Sequence, residues 1–310
     1  MNAVITVAFP VFAIIAVGLF AGRAKLMSAA DSQALNKFVF RFAMPAALFG
    51  LTAGTPPPDA QDAAIAVAYA AAASVALFGG YILAQVLFPL SKPEAGAHGF
   101  ASTLGNAVFL GLPIALTIDG WARPFVVLML IEGIFVIAIG AALMAPRNND
   151  GSLLKRLGGY FAGPLRNPLV LAMVAGFVYS ALGFSFSGPA ETFFSILGRA
   201  AGPTALFSLG LFLATHQFPE LKSVAGRVGA IAFMKMAALP AIALGVAIGL
   251  GLEDPAYLGA LALFVFVPSG VGSFIIASQY GVYQSETAAA VSFTTLLSIL
   301  TVAGVLMVFA

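Results

Sequence analysis

Ten apolar stretches limit what this chain can fold into, each near the ~20 residues a helix needs to cross ~30 Å of hydrocarbon. They run roughly over 3–22, 33–53, 62–89, 98–118, 121–145, 167–184, 189–214, 223–250, 255–279 and 286–309. The separators are turn formers: Thr55-Pro-Pro-Pro-Asp59, Ser91-Lys-Pro-Glu94 and Glu253-Asp-Pro255. Inside a bilayer the backbone must satisfy its own hydrogen bonds, and continuous apolar runs of this length do so as helices. The expectation is an all-α membrane protein with ten transmembrane helices. Composition agrees: 61% of residues are hydrophobic, 8% are charged, and the mean hydropathy is +1.04. Without cysteine, neither a disulfide framework nor a thiolate metal site can form. A net charge of +2 is too small to argue for a nucleic-acid partner, so the expected surroundings are the lipid bilayer. Met1 to Arg23 lacks a basic leader and a clear cleavage site and reads as a retained first helix.

The longest polar connection, 146–166, divides the chain into 1–145 and 167–310, two five-helix halves joined by a cytoplasmic linker. If connections from odd to even helices are cytoplasmic, that side holds Arg23, Lys25, Lys37, Lys92, Arg227 and five further lysines and arginines. The other side holds only Arg123. That bias places both termini on the non-cytoplasmic side. The halves also resemble each other. Arg41-Phe-Ala-Met-Pro-Ala-Ala-Leu-Phe49 matches Arg199-Ala-Ala-Gly-Pro-Thr-Ala-Leu-Phe207 at an offset of 199 − 41 = 158, and Pro10 to Pro168 repeats that offset. An odd number of helices per half inverts the second copy, giving a 5+5 inverted repeat of the kind secondary transporters use.

Two helices read as broken. Ser102 to Leu116 carries Gly105, Asn106, Gly111 and Pro113 inside an apolar run; Val267 to Ser273 carries Pro268, Ser269, Gly270 and Ser273. Proline removes a donor and clashes with the preceding turn, and freed backbone groups in hydrocarbon must find protein, water or ligand. These eight residues are the expected substrate site, with Asn106 as first ligand and the positive half-helix ends favouring an anion such as a carboxylate. Four charges lie deep in apolar segments: Arg41, Glu132, Arg199 and Lys235. Glu132 is about eleven residues into segment five, or ~16 Å at 1.5 Å per residue, near the midplane. Glu132 and Lys235 are expected either to pair directly, for proton coupling or for holding a moving part together, or to form a static pair. Arg41 and Arg199, each before a proline, snorkel, cap the kink or contact substrate. His98 and His216 lack metal-ligand spacing, and no dense carboxylate cluster marks a sodium site.

The residues therefore point to a carrier of a small organic anion, a mono- or dicarboxylate, without cofactor or metal. The alternative is an anion channel or a non-transporting receptor on a transporter fold. An enzyme is not expected: Ser269-Gly270 has no histidine predicted beside it and there is no H-E-x-x-H motif.

Asn106-Ala-Val-Phe-Leu-Gly-Leu-Pro113 and Pro268-Ser-Gly-Val-Gly-Ser-Phe-Ile-Ile-Ala-Ser-Gln-Tyr280, with Leu35-Asn-Lys-Phe38 and Pro45, resemble the auxin efflux carrier family over essentially the whole chain. Its bacterial members are described as malonate-type organic-acid carriers. The resemblance implies a fold similar to sodium–proton antiporters and bile-acid symporters. Helices one, two, six and seven would form a dimeric scaffold. Helices three to five and eight to ten would form an elevator-type transport domain, with helices four and nine crossing at the site and Asn106 contacting substrate. Apart from the resemblance, an alanine-rich, cysteine-free chain without targeting signals suggests a bacterial inner membrane. Gly105 stands where plant members have proline and Ser269 where they have glutamine, which argues against auxin itself.

Overall fold

The computed structural model describes residues 9–56, 58–145, 167–215 and 221–310; the linker 146–166 and His216 lie outside them. The described residues are helical, with no strand beyond one bridged residue pair, Gly105 and Ser269. In chain order the helices are α1 (Phe9–Arg23), α2 (Ala29–Phe38), α3 (Met44–Ala53), α4 (Ala60–Leu87), α5 (Lys92–Ala101), α6 (Leu112–Ala115), α7 (Ala122–Ile131) and α8 (Ile137–Met144). Then follow α9 (Pro168–Ala181), α10 (Pro189–Arg199), α11 (Ala201–Thr215), α12 (Leu221–Phe233), α13 (Leu239–Gly249), α14 (Pro255–Phe266), α15 (Val271–Tyr280) and α16 (Gln284–Phe309). Among the described residues six continuous stretches are long and apolar enough to span a membrane: Ala29–Ala53, Ala60–Leu87, Ala122–Met144, Pro189–Thr215, Val224–Gly249 and Gln284–Phe309.

Helix starts follow their local chemistry. Asp59 and Asp62 form a capping box at α4, Ser91 and Glu94 another at α5, and Asn167 and Asp254 cap α9 and α14 just ahead of prolines. Four π turns widen the helical path among the described residues: Val39–Ala43, Ala107–Gly111, Glu132–Val136 and Met234–Ala238. In three of them the second residue of the helix that follows is proline: Pro45, Pro113 and Pro240. The extra residue, closed by Leu112 N–H to the Ala107 carbonyl and its equivalents, relieves the clash a proline makes with the carbonyl one turn back. The expected break at Gly111 and Pro113 is therefore corrected. Pro113 sits inside the second half-helix, and the interruption lies earlier, between α5 and Ala107.

Packing falls into two groups. In one, α1 lies along α11, α2 touches α11, and α3 lies along α9 and α10. In the other, α4, α5, α7, α8 and α12 to α16 pack on one another. Within the first group, helices approach to backbone contact, and the contacts recur at one offset. A Cβ on Gly18 would fall on the Phe207 carbonyl oxygen, and one on Gly176 would lie 2.8 Å from the Phe49 carbonyl oxygen. Residues 18 and 176, like 49 and 207, are 158 apart (176 − 18 = 207 − 49 = 158), the same offset found between the Arg-x-x-x-Pro segments. A side chain at either glycine would push the helices apart.

Candidate functional site

The two interruptions meet. Asn106 N–H donates to the Pro268 carbonyl at 2.8 Å, and Gly270 N–H donates to the Leu104 carbonyl at 2.9 Å, so residues 104–106 and 268–270 run antiparallel as a bridge centred on Gly105 and Ser269. The exchange is two-fold about that centre. It satisfies in pairs the backbone groups that two broken helices release in a medium without water. Gly270 is required for the approach: a Cβ there would lie 2.5 Å from the Gly105 carbonyl oxygen.

The remaining backbone groups are capped by side chains. The Glu132 carboxylate accepts the Gly105 N–H at 2.8 Å and the Tyr69 hydroxyl at 2.9 Å through the same oxygen, Oε1. At the partner position Ser269 N–H donates to the Thr294 hydroxyl at 3.0 Å. The carbonyl that ends α5, Ala101, accepts the Ser269 hydroxyl at 2.9 Å; near the end of α14, Val265 accepts the Lys235 ammonium at 2.7 Å. Lys235 and Ser269 are wholly buried. A cation at a helix C-terminus and a carboxylate on a free N–H each suit the partial charge they meet.

These bonds correct the expected direct pairing of Glu132 with Lys235. Among the described residues no ion pair joins them, because each has taken a backbone group freed by a different break. The ion pairs that do form lie toward the helix ends. Arg123 joins Asp62 at 2.6 Å and Asp59 at 3.2 Å, with Tyr257 donating to Asp62, and Arg227 joins Glu286 at 2.6 Å.

A cavity of about 470 Å³ opens beside the crossing, between the two packing groups. Of the expected site residues it brings together Gly105, Asn106, Glu132 and Gly270. Asn106 is 2% exposed and its amide nitrogen, Nδ2, has no hydrogen-bond partner. Its backbone is fully engaged, the carbonyl accepting from Leu110 and Gly111 at 3.1 Å. Val271 and Gly272, in the first turn of α15, continue the wall, and first-turn N–H groups have no acceptor within their own helix. The other expected residues stand outside the cavity wall. Gly111 packs on the Phe125 ring and Pro113 on Gly202 of α11. Pro268 gives its carbonyl to the bridge, and Ser273 donates back to the Gly270 carbonyl at 2.7 Å. Lys235 is likewise absent from the wall.

The wall given by the first packing group includes Asn36, Lys37 and Arg41, and Asn167 and Gln279 also line the cavity. Asn36 is held by the Ser208 hydroxyl, which donates to it at 2.6 Å. Asn36 and Gln279 entered the sequence reading only as parts of family-like segments; a polar side chain near a helix end gives no sign that it faces a cavity. His98 is buried, its Nδ1 3.0 Å from the Tyr283 hydroxyl.

A bundle of apolar helices, with a largely apolar cavity carrying a few polar groups beside the crossing of two interrupted helices, is an arrangement suited to a membrane transport protein. The chain belongs to the membrane transport protein family, that of the auxin efflux carriers, whose sequence model matches residues 3–158 and 160–306. It is 28% identical to a Rhizobium meliloti (strain 1021) protein named "Putative malonate transporter", over 88% of this chain and 85% of that one. It is 24% identical to the "Uncharacterized transporter YfdV" of Escherichia coli (strain K12), over 93% and 91% of the two chains. To "Auxin efflux carrier component 2" of Arabidopsis thaliana it is 29% identical over 44% of this chain and 21% of that one.

Proposed function

We propose that this protein is a secondary transporter that moves a small organic anion, a mono- or dicarboxylate, by elevator-type alternating access across a bacterial inner membrane. The observation that carries the reading is the Asn106 amide. It is a buried donor without a partner, facing a cavity beside the first-turn N–H groups of α15. A buried donor left unmatched costs about 1–3 kcal/mol, so a ligand that accepts from it recovers that cost on binding. An anion also gains from the positive end of α15. The name of the Rhizobium meliloti relative points to the same substrate class.

Several features support the architecture. Grouped along the ten apolar stretches of the sequence, the helices would make ten spans, α5 with α6 and α14 with α15 being the interrupted ones. The contacts Gly18 to Phe207 and Gly176 to Phe49 repeat at the offset of the sequence match, as a 5+5 inverted repeat requires. The group of α1–α3 and α9–α11 would be the scaffold, through which two copies pair, and the other group would carry the substrate. With cation-rich connections cytoplasmic, the lining residues Asn36, Lys37, Asn167 and Gln279 would lie toward the cytoplasm, which favours a cavity that opens inward.

The test is carboxylate uptake into proteoliposomes by wild type and Asn106→Ala, alongside thermal shift. A carboxylate at about a hundred times its Kd should stabilise the wild type by about 2.7 kcal/mol. Saturable uptake lost in Asn106→Ala supports the carrier. Ohmic currents without saturation would replace it by a channel, and a folded protein indifferent to every carboxylate would remove the organic-anion reading.

A further inference from the structure

The cavity wall carries two cationic side chains. Lys37 and Arg41 sit one turn apart on the path from α2 into the π turn Val39–Ala43, and both line the cavity opposite Asn106. Arg41 is twelve residues beyond the start of α2, or ~18 Å along the axis, near the middle of a ~30 Å hydrocarbon layer. Arg41 is exposed, and a guanidinium at that depth requires an anion or a water-filled space. Among the described residues no carboxylate lies within ion-pair distance of Arg41 or Lys37; the ion pairs there use Arg123 and Arg227. The one carboxylate on the cavity wall, Glu132, is bound to the Gly105 N–H and the Tyr69 hydroxyl.

We infer that Arg41 binds a second carboxylate of the substrate, so that the cavity selects dicarboxylates over monocarboxylates. The inference rests on the organic-anion reading above and narrows it. One carboxylate accepts from Asn106 Nδ2 and the first turn of α15. The other accepts two parallel hydrogen bonds from the planar Arg41 fork, a geometry that a lysine ammonium does not reproduce. A cavity of about 470 Å³ is at the small end for ligand sites and fits a short acid. The exposed Lys37 draws the dianion toward the mouth.

The experiment is calorimetric titration of the purified full-length protein with malonate, succinate, acetate and propionate, in wild type, Arg41→Gln, Arg41→Lys and Asn106→Ala. Wild type should bind a dicarboxylate at least about tenfold tighter than either monocarboxylate, the scale of a charge-assisted pair. Arg41→Gln should bring that ratio close to one by weakening the dicarboxylate alone. Arg41→Lys should fall between, and keeps the question open to measurement if Arg41→Gln does not fold. Asn106→Ala should weaken both classes together. A folded Arg41→Gln that keeps the wild-type ratio, or a wild type that prefers monocarboxylates, overturns the role of Arg41 and leaves the organic-anion reading standing. A folded wild type that binds none of the four overturns both.

Discussion

Side chains at the crossing divide into those that complete the backbone and those left free for a ligand, and substitution separates the two. Asn106→Ala removes a donor with no partner, so its melting temperature should stay within about 2 °C of wild type while carboxylate binding is lost. Ser269→Ala should behave in the opposite way. It leaves the Ala101 carbonyl without the hydroxyl that caps it, at a cost of about 1–3 kcal/mol in chemical denaturation, with carboxylate Kd changed less than about threefold. Glu132→Gln keeps an acceptor for Gly105 and Tyr69 and should fold as wild type. Glu132→Leu strands both buried donors and should unfold at distinctly lower denaturant. Asn106 was legible in the sequence because an amide at mid-membrane has no local way to satisfy its donors. Ser269 and Ser273 were not, since a hydroxyl can turn to a nearby carbonyl, as Ser273 does. Nor was the separation of Glu132 from Lys235, whose partners lie 27 and 30 residues away and exist only once the helices have broken.

At the scale of the helix, the apolar runs and their turn formers located the segments, while the path within them was hidden. Proline marks a disturbance in both interrupted segments, but at Pro113 a π turn absorbs it and the true interruption falls earlier. All four π turns contain or directly follow a deep polar residue: Arg41, Asn106, Glu132 or Lys235. A sequence period of 3.6 does not predict the extra residue. The crossing itself is the element most sensitive to added volume. Gly270→Ala should separate the two half-helices, lowering stability and abolishing uptake, because the new methyl meets the Gly105 carbonyl. Gly245→Ala, in the exposed part of α13 with nothing within 4 Å of its Cβ, should be neutral or more stable by up to about 1 kcal/mol. Melting curves of the pair measure the difference.

For the whole molecule, the proposed inverted repeat makes a prediction about sidedness. Arg41 lines the present cavity, and its counterpart Arg199, at the end of α10, does not. If the halves exchange conformations during alternating access, Arg199 takes the place of Arg41 when the cavity opens to the opposite side. Arg41→Gln should then weaken dicarboxylate binding from the cytoplasmic face and Arg199→Gln from the other, measured on inside-out and right-side-out vesicles. Equal effects on both faces would contradict the exchange.

The glycine contacts between halves also bear on how the protein is made. The main partner of α1 is α11, and that of α3 is α9, so two helices from the first half find their closest neighbours only in the second. During synthesis α1 and α3 enter the bilayer well before those neighbours exist, with small-residue faces turned to lipid. On that packing the first half alone lacks the main partners of two of its helices. Residues 1–155 expressed alone should be degraded, and co-expression with 156–310 should rescue them, making insertion of the second half the step at which the first becomes stable.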